Sequence, residues 1–453
     1  MKLQLTEISQ AVQGVLLGTN QLIEGAGIDT RTLNANELYI ALKGKNFDGH
    51  DFIANAKQAG AAAVLVERRC ETELPQILVK NSRLALAELA GFWRTQLPIK
   101  LVGITGSNGK TTTKEMLAAI LATQGNTLLT QGNLNNDIGV PLTLLKLNAA
   151  HHFAVIEMGA NHAGEIAYTS RYAKADVSLI TNIAAAHIEG FGDLPGVASS
   201  KGEIITSLSD EGIAVLNHDD AFYPFWLELA GKRKTISFGL NQAADIFAKN
   251  IGTQFDNQEF TTLFELQTPT ASISIQLRLA GEHNVKNALA AAAAALQFGV
   301  SLPDIKQGLE QVKPVIGRLQ PLRGRKGNLI IDDTYNANPA SLQAALDALD
   351  SRTNNWLILG AFGELGNDSS TIHREMGELI KTKPVQRLFA TGELARQTVQ
   401  AFGHGGEFFE NQEQLIFALN QTVTGKETLL VKGSRAQKME NVVAAMVDNF
   451  RAA

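Results

Sequence analysis

The stretch Gly106-Ser107-Asn108-Gly109-Lys110-Thr111-Thr112 combines, in seven positions, what a protein needs to hold a polyphosphate. Glycines let successive backbone N–H groups turn inward on an anion without a Cβ in the way. Lys110 can bridge the β- and γ-phosphates of ATP, and the Thr111 hydroxyl can serve Mg²⁺. The loop is shorter than the general phosphate-loop pattern, which would place a glycine where Ile104 stands. Its context supports the reading. The apolar run Leu101–Thr105 predicts a strand leading in, and Met116, Leu117, Ile120 and Leu121 predict a helix leading out. The dipole of that helix would point its positive end at the same anion.

A phosphate loop needs further metal ligands. Phe153-Ala154-Val155-Ile156 reads as a buried strand ending in Glu157, and a carboxylate there suits Mg²⁺ when the strand lies beside the loop in a parallel sheet. Two more residues have suitable chemistry. His187 follows the next strand, and Lys201 stands in Lys201-Gly202-Glu203-Ile204. By themselves they read first as a surface or satisfied loop histidine and a solvated lysine at a helix start.

The elements that must position these groups alternate short apolar runs with helical segments, with Gly, Asn or Asp at the joints, which is the grammar of an α/β protein. A chain of 453 residues exceeds one ordinary core, and three domains are expected: 1–98, 99–314 and 315–453. The first contains strand candidates 37–42 and 61–66 and closes on a helix over 83–93. The second runs from the phosphate-loop strand to the alanine-rich helix around 287–298. Pro314, Gly317 and Pro321 mark a hinge, and strands at 329–331, 356–359, 387–389 and 428–431 build the third. Pro339 suits the first turn of a helix.

Composition excludes several classes. Hydrophobic residues at 45% against 19% charged rule out a disordered chain, and a net charge of −5 leaves no basic surplus for a nucleic-acid backbone. One cysteine, Cys70, can form neither an internal disulfide nor a cysteine-cluster metal site, and is expected to be a small buried hydrophobe. No apolar run approaches the roughly 20 residues of a membrane span, and no targeting segment is seen, so the expected address is the cytoplasm, without membrane insertion.

Taken together, the motifs resemble those of the Mur ligases, which build the peptide stem of bacterial cell-wall precursors. The likeness rests on Gly106–Thr113, Gly132-Asn133-Leu134-Asn135-Asn136-Asp137-Ile138-Gly139, Glu157-Met158-Gly159 and Thr181-Asn182 through His187. It continues in Gly281-Glu282-His283-Asn284-Val285-Lys286-Asn287, Gly317-Arg318 and Asp332-Asp333-Thr334-Tyr335-Asn336-Ala337-Asn338-Pro339. Within the family it is greatest to the branch that adds a D-alanyl-D-alanine dipeptide, through Asp29-Thr30-Arg31, Ala41–Gly44, Phe47–Asp51 and Lys432-Gly433-Ser434-Arg435. The Asp-Asn-Pro-Arg signature of the diaminopimelate-adding branch is missing, which disfavours that rival, and a silent nucleotide-binding regulator would not need the second metal set. One departure stands out: where the family usually has Gly-Asp-Met-Leu-Glu-Leu-Gly, this chain has Gly360-Ala361-Phe362-Gly363-Glu364-Leu365-Gly366.

The resemblance implies a central ATPase domain with a parallel sheet, flanked by an N-terminal α/β domain for the UDP precursor and a C-terminal Rossmann-like domain for the dipeptide. It implies an ATP-dependent ligase acting on UDP-N-acetylmuramoyl-tripeptide and D-alanyl-D-alanine, through an acyl phosphate, as a monomer. It implies two Mg²⁺ ions, with ligands Thr111, Glu157, His187 and Lys201 as its carbamate. Arg318 is expected at the γ-phosphate, Asn284 and Asn287 on the adenine side, and Asp333 at the ribose. Thr30, Arg31 and Lys43 are expected at the UDP end and Asn133 and Asn136 near the muramoyl phosphate region. Lys432 and Arg435 either bind the dipeptide carboxylate or are solvated charges.

Overall fold

The computed structural model describes residues 1–184, 188–256, 259–349, 353–448 and 450. Three principal sheets follow one another along the chain. The first has five strands in the order Val15–Leu17, Gln76–Leu78, Ala63–Val66, Leu38–Ile40 and Ala26–Gly27, parallel except for the first pair. The alternation of glycine-bounded apolar runs with short helices produces this because parallel neighbours need a crossover between them.

The second sheet holds nine strands among the described residues. Its parallel part places Lys100–Thr105 between Phe153–Glu157 and Val177–Ile180, with Thr127–Leu129 at one edge. On the other side follow Ile213–Asn217, Lys234–Gly239 and Ile246–Asp256. The crossovers from Lys100–Thr105 to Thr127–Leu129 and from Phe153–Glu157 to Val177–Ile180 therefore run in opposite directions, and a crevice opens at the carboxyl end of Lys100–Thr105, where ligands of open α/β sheets bind. Two antiparallel strands, Glu259–Gln267 and Ser272–Leu277, extend the sheet beyond anything the sequence motifs marked. Their alternating burial shows the reason: one face packs on the core and the other meets solvent.

The third sheet runs Gln320–Arg323, Leu329–Asp333, Glu427–Lys432, Asn354–Gly360, Arg387–Thr391 and Gly406–Phe409, parallel after the first pair. Asp333 and Lys432 end adjacent strands, one step from Gly360.

Packing ties the first unit to the second more closely than separate domains require. The helix Ser82–Thr95 packs on Gly139–Leu145 and Glu165–Ala173, and one continuous buried cluster runs from Leu3 to Ala230. On the opposite face of the central sheet the phosphate-loop helix Lys110–Ala122 lies against the alanine helix Glu282–Leu296. Ala288 and Ala290 through Ala295 are fully buried; their short side chains are what let two helix backbones approach. The helix Leu302–Gln311 makes a similar close approach at Gly308, where a Cβ would strike the backbone of Ile120. Cys70 is only partly buried, not the core hydrophobe expected. The reason is local: its backbone N–H and C=O are both taken by the Gln76 side chain, which holds it in the connection between Ala63–Val66 and Gln76–Leu78.

Candidate active site

The loop after Lys100–Thr105 turns at Gly106 (φ +139°) and Gly109 (φ +80°) and enters the helix Lys110–Ala122. Gly109 is obligatory twice over: its backbone is left-handed, and a Cβ would collide with the Asn287 side chain. Lys110 curls over its own loop, donating from Nζ to Gly106 O (2.7 Å) and Ser107 O (3.2 Å). Burial lowers its pKa from the ordinary lysine value; Glu157 opposes this and Arg318 adds to it. An anion in the loop would replace those carbonyl contacts with a charge partner.

The next strand supplies the carboxylate. Glu157 is buried, at the carboxyl end of Phe153–Glu157. Its Oε2 accepts from Thr111 Oγ1 at 3.0 Å and its Oε1 from Asn135 Nδ2 at 2.9 Å. From behind, Thr130 Oγ1 accepts the Glu157 N–H, and the buried Lys114 ammonium donates to Thr130 O at 2.7 Å. Lys201, on the helix Leu194–Thr206, is buried to 2% exposure, donates to Ala160 O at 3.3 Å and lies 5.0 Å from the Phe191 ring. Burial brings its pKa down to about 7, with the Lys110 charge adding, so the amine is poised to lose its proton near neutrality.

The third wall comes from beyond the hinge. Arg318 Nη2 donates to Thr111 Oγ1 at 3.0 Å while the guanidinium lies 4.3 Å from the Tyr335 ring centroid. Among the described residues its buried Nε has no hydrogen-bond partner. Asn338 caps the helix Pro339–Asp347 and reaches back from it to donate to Asn108 Oδ1 at 2.7 Å. Asn182 clasps the same Asn108, its Oδ1 accepting the backbone N–H and its Nδ2 donating to the carbonyl. Asp333 Oδ1 accepts the Leu319 N–H, and Oδ2 pairs with Lys432 at 2.5 Å. These walls enclose a cleft of about 1130 Å³ lined by all three groups of residues.

Comparison with known proteins agrees with this geometry. Residues 104–295 match the Mur ligase middle domain, 317–435 the Mur ligase glutamate ligase domain, and 22–94 the Mur ligase family catalytic domain. The chain is 44% identical to the UDP-N-acetylmuramoyl-tripeptide–D-alanyl-D-alanine ligase of Escherichia coli (strain K12), over 98% of both chains. The chain belongs to the Mur ligase family. Among solved structures it resembles MurF from Acinetobacter baumannii, at 38% identity and TM-score 0.91 over 98% of both chains. It also resembles the Thermotoga maritima MurF ligase in complex with ADP, at 29% identity and TM-score 0.83, covering 93% of this chain and 96% of that one. The three-unit α/β architecture expected from the motifs is the one observed.

In this Mur ligase the cleft lining takes in Ser107 through Thr112, Asn133, Asn136, Glu157, Lys201, Asn284, Asn287, Arg318, Asp333, Lys432 and Arg435. Gly106 sits just behind it, against Thr181. Asn287 accepts from Thr113 Oγ1 and donates to Asn284, so these two asparagines brace the loop helix as well as facing the cleft. Asn136 caps the turn into Gly139–Leu145 through Ile138 N and Gly139 N. Thr30, Arg31 and Lys43 do not line the cleft; they follow adjacent parallel strands of the first sheet, and Arg31 is exposed and paired with Asp29. His187 lies outside the described residues. Lys432 is buried against Asp333 and Asn336 O, whereas Arg435 is exposed and paired with Glu440. The sequence reading gave no role to Asn135, Asn182 or Asn338. All three stand in quoted motifs, but an amide's role depends on which loop faces it, and that is a tertiary fact.

Proposed function

We propose that this protein is an ATP-dependent ligase that joins D-alanyl-D-alanine to UDP-N-acetylmuramoyl-tripeptide through an acyl phosphate, releasing ADP and phosphate. The observation that carries the reading is the meeting of Lys110, Thr111 and Glu157 with Arg318 across the hinge, in a chain 44% identical over its length to a ligase of that name. A carboxylate is a poor electrophile with a poor leaving group. Phosphorylation corrects both, leaving the protein to position three anionic groups and neutralise their charge.

Lys110 and the loop N–H groups hold the β- and γ-phosphates, and Arg318 clamps the γ-phosphate. The unpartnered Arg318 Nε–H supports the second assignment, since a buried N–H is rarely left without an acceptor. Asn284 and Asn287 lie on the adenine side, Asp333 at the ribose. The first sheet's Thr30, Arg31 and Lys43 take the UDP end, with Asn133 and Asn136 between. Arg435 faces the dipeptide carboxylate. Domains 1–98, 99–314 and 315–453 divide these tasks.

The residues fit Mg²⁺: Thr111 Oγ1 and the Glu157 carboxylate share one edge of the cleft and offer hard oxygen donors. Held there, Mg²⁺ would supply positive charge to offset that of the phosphates. His187 and Lys201 would complete a second set if Lys201 is carbamylated. In that reaction the neutral amine attacks CO₂, an N–C bond forms and a proton leaves to solvent. The buried, easily deprotonated Lys201 supports it. No helix among the described residues is long and apolar enough to cross a membrane. The enzyme works in the cytoplasm as a monomer.

The deciding experiment is phosphate release from Mg·ATP with UDP-N-acetylmuramoyl-tripeptide, with and without D-alanyl-D-alanine, with the product identified by mass. Release that needs both substrates and yields the pentapeptide is the expected result; turnover with a UDP-muramoyl dipeptide and a diamino acid instead would move the protein one step earlier in the series.

A further inference from the structure

We propose that Asp220 is a positioning residue for nucleotide binding: from outside the cleft it fixes the segment Thr181–Ala184, and that segment holds the phosphate loop in its anion-binding shape. This role rests on the reading that the loop holds the phosphates of ATP. It adds a residue that stands in none of the motifs and does not itself line the cleft.

Ser107 and Asn108 depend on a neighbouring stretch of chain. The Ser107 N–H donates to Asn182 O at 2.8 Å, and Asn108 O accepts from Thr181 Oγ1 at 2.6 Å and from Asn182 Nδ2 at 3.1 Å. Ser107 Oγ meets both backbone groups of Ala184, accepting from its N–H at 3.0 Å and donating to its carbonyl at 3.2 Å. All these partners lie in the four residues after the strand Val177–Ile180, which adjoins Lys100–Thr105 in the sheet. The four residues belong to no helix or strand, so no ladder of backbone hydrogen bonds sets their path.

What sets it is the turn on their far side, after the strand Ile213–Asn217. Asn217 Nδ2 donates to Thr181 O at 2.8 Å, and Asp220 Oδ2 accepts the Ile183 N–H at 2.7 Å. Both side chains are oriented by the turn itself: Asn217 Oδ1 accepts the Asp219 N–H and Asp220 Oδ1 the Phe222 N–H, each at 3.0 Å. The adjacent carboxylates divide the work. Asp219 faces the other way, accepting from the Leu240 and Asn241 N–H groups and lying 3.7 Å from Lys286. Asp220 thus acts through Ile183 on the residues that grip Ser107 and Asn108. Charge alone would give it the opposite effect, since a carboxylate behind an anion site repels the anion and its removal would tighten nucleotide binding.

Three variants test the proposal. Asp220→Ala removes both acceptors. Asp220→Ser keeps one for the Phe222 N–H, and with it the turn, but offers nothing to Ile183. Asp220→Asn loses the charge while its Oδ1 can still accept from Ile183. Affinity for ADP is measured by calorimetry and for AMP by displacement of ADP, beside thermal unfolding; ADP carries a β-phosphate for the loop and AMP does not. Asp220→Ala and Asp220→Ser should both weaken ADP binding about 10-fold, from a part-buried N–H left without its acceptor, and leave AMP within about 2-fold. Asp220→Asn should recover most of the ADP affinity. Asp220→Ser decides the matter if Asp220→Ala does not fold. Tighter ADP binding by the variants, a serine variant equal to wild type, an asparagine variant as weak as the serine one, or equal losses for ADP and AMP would each overturn the proposal. Wild-type protein that binds neither nucleotide would instead remove the reading of the loop beneath it.

Discussion

Thr111 Oγ1 is held between two units of the chain: it accepts from Arg318 Nη2 at 3.0 Å and donates to Glu157 Oε2 at 3.0 Å. One hydroxyl thus links the hinge arginine to the strand-end carboxylate, and the phosphate loop is complete only when the third unit is docked.

Removing that arginine should therefore affect turnover more than binding. Arg318→Ala is expected to lower kcat by about 10²–10³-fold, the range for loss of one charge-stabilising donor at a reacting centre. Arg318→Lys should restore little, since an ammonium cannot both stack on Tyr335 and reach Thr111. Phosphate-release kinetics measure both, and an unchanged kcat would remove the clamp.

Lys432 poses a sharper choice. Its ammonium is buried against Asp333, which also anchors Leu319 at the hinge. Lys432→Met should raise the KM for ATP more than that for the dipeptide, and destabilise by about 3 kcal/mol by leaving a carboxylate unpaired. The opposite ordering of the two KM values would put Lys432 on the dipeptide carboxylate.

Lys201 is tested by chemical rescue. Lys201→Ala should lose activity and regain part of it with short carboxylic acids, which can occupy the space a carbamate would fill. Full activity without added acid would show that no carboxylate is needed there.

Asn338 joins folding to function in one side chain. Asn338→Ala removes a helix cap, costing about 1 kcal/mol, and also the bond to Asn108. Calorimetry should show the stability loss and nucleotide titration a weaker affinity for ATP. A stability loss alone would make the Asn108 contact incidental.

Asp332 predicts a pH dependence. It is fully buried; Oδ1 accepts from the Thr334 N–H and hydroxyl, while Oδ2 has no hydrogen-bond partner among the described residues. Burial raises its pKa above the ordinary 3.8, so between 3.8 and the raised value the folded state binds more protons than the unfolded one. Stability must then fall as pH rises through that window. Asp332→Asn carries no such charge, so its melting temperature relative to wild type should climb from pH 3.5 to 7. A constant difference would show that Asp332 titrates normally.

Much of the site could be read from the chain because its key parts are local. A phosphate loop is seven consecutive residues between a strand and a helix, and Glu157 ends a strand whose apolar run is contiguous; neither needs distant neighbours to be recognised. The antiparallel strands Glu259–Gln267 and Ser272–Leu277 were not read, because a sheet half-open to solvent mixes Thr, Gln and Glu with its apolar residues and blurs the pattern. Residues 82–95 illustrate a different limit. The helix there is plain in its periodicity, but that it fuses the first unit's core to the second depends on what covers its apolar face.

By itself the sequence determined the order of elements, the phosphate loop and the set of charged and amide side chains available to the cleft, since these follow from residue type and short-range spacing. Only the tertiary structure decided how that set is partitioned. Lys432 is spent on Asp333, Asn338 reaches Asn108 across 230 positions, Lys201 loses its water, and Asp220 grips Ile183. Each of these depends on which surfaces are buried against one another, and desolvation is a property of the packed fold and not of any local stretch of chain.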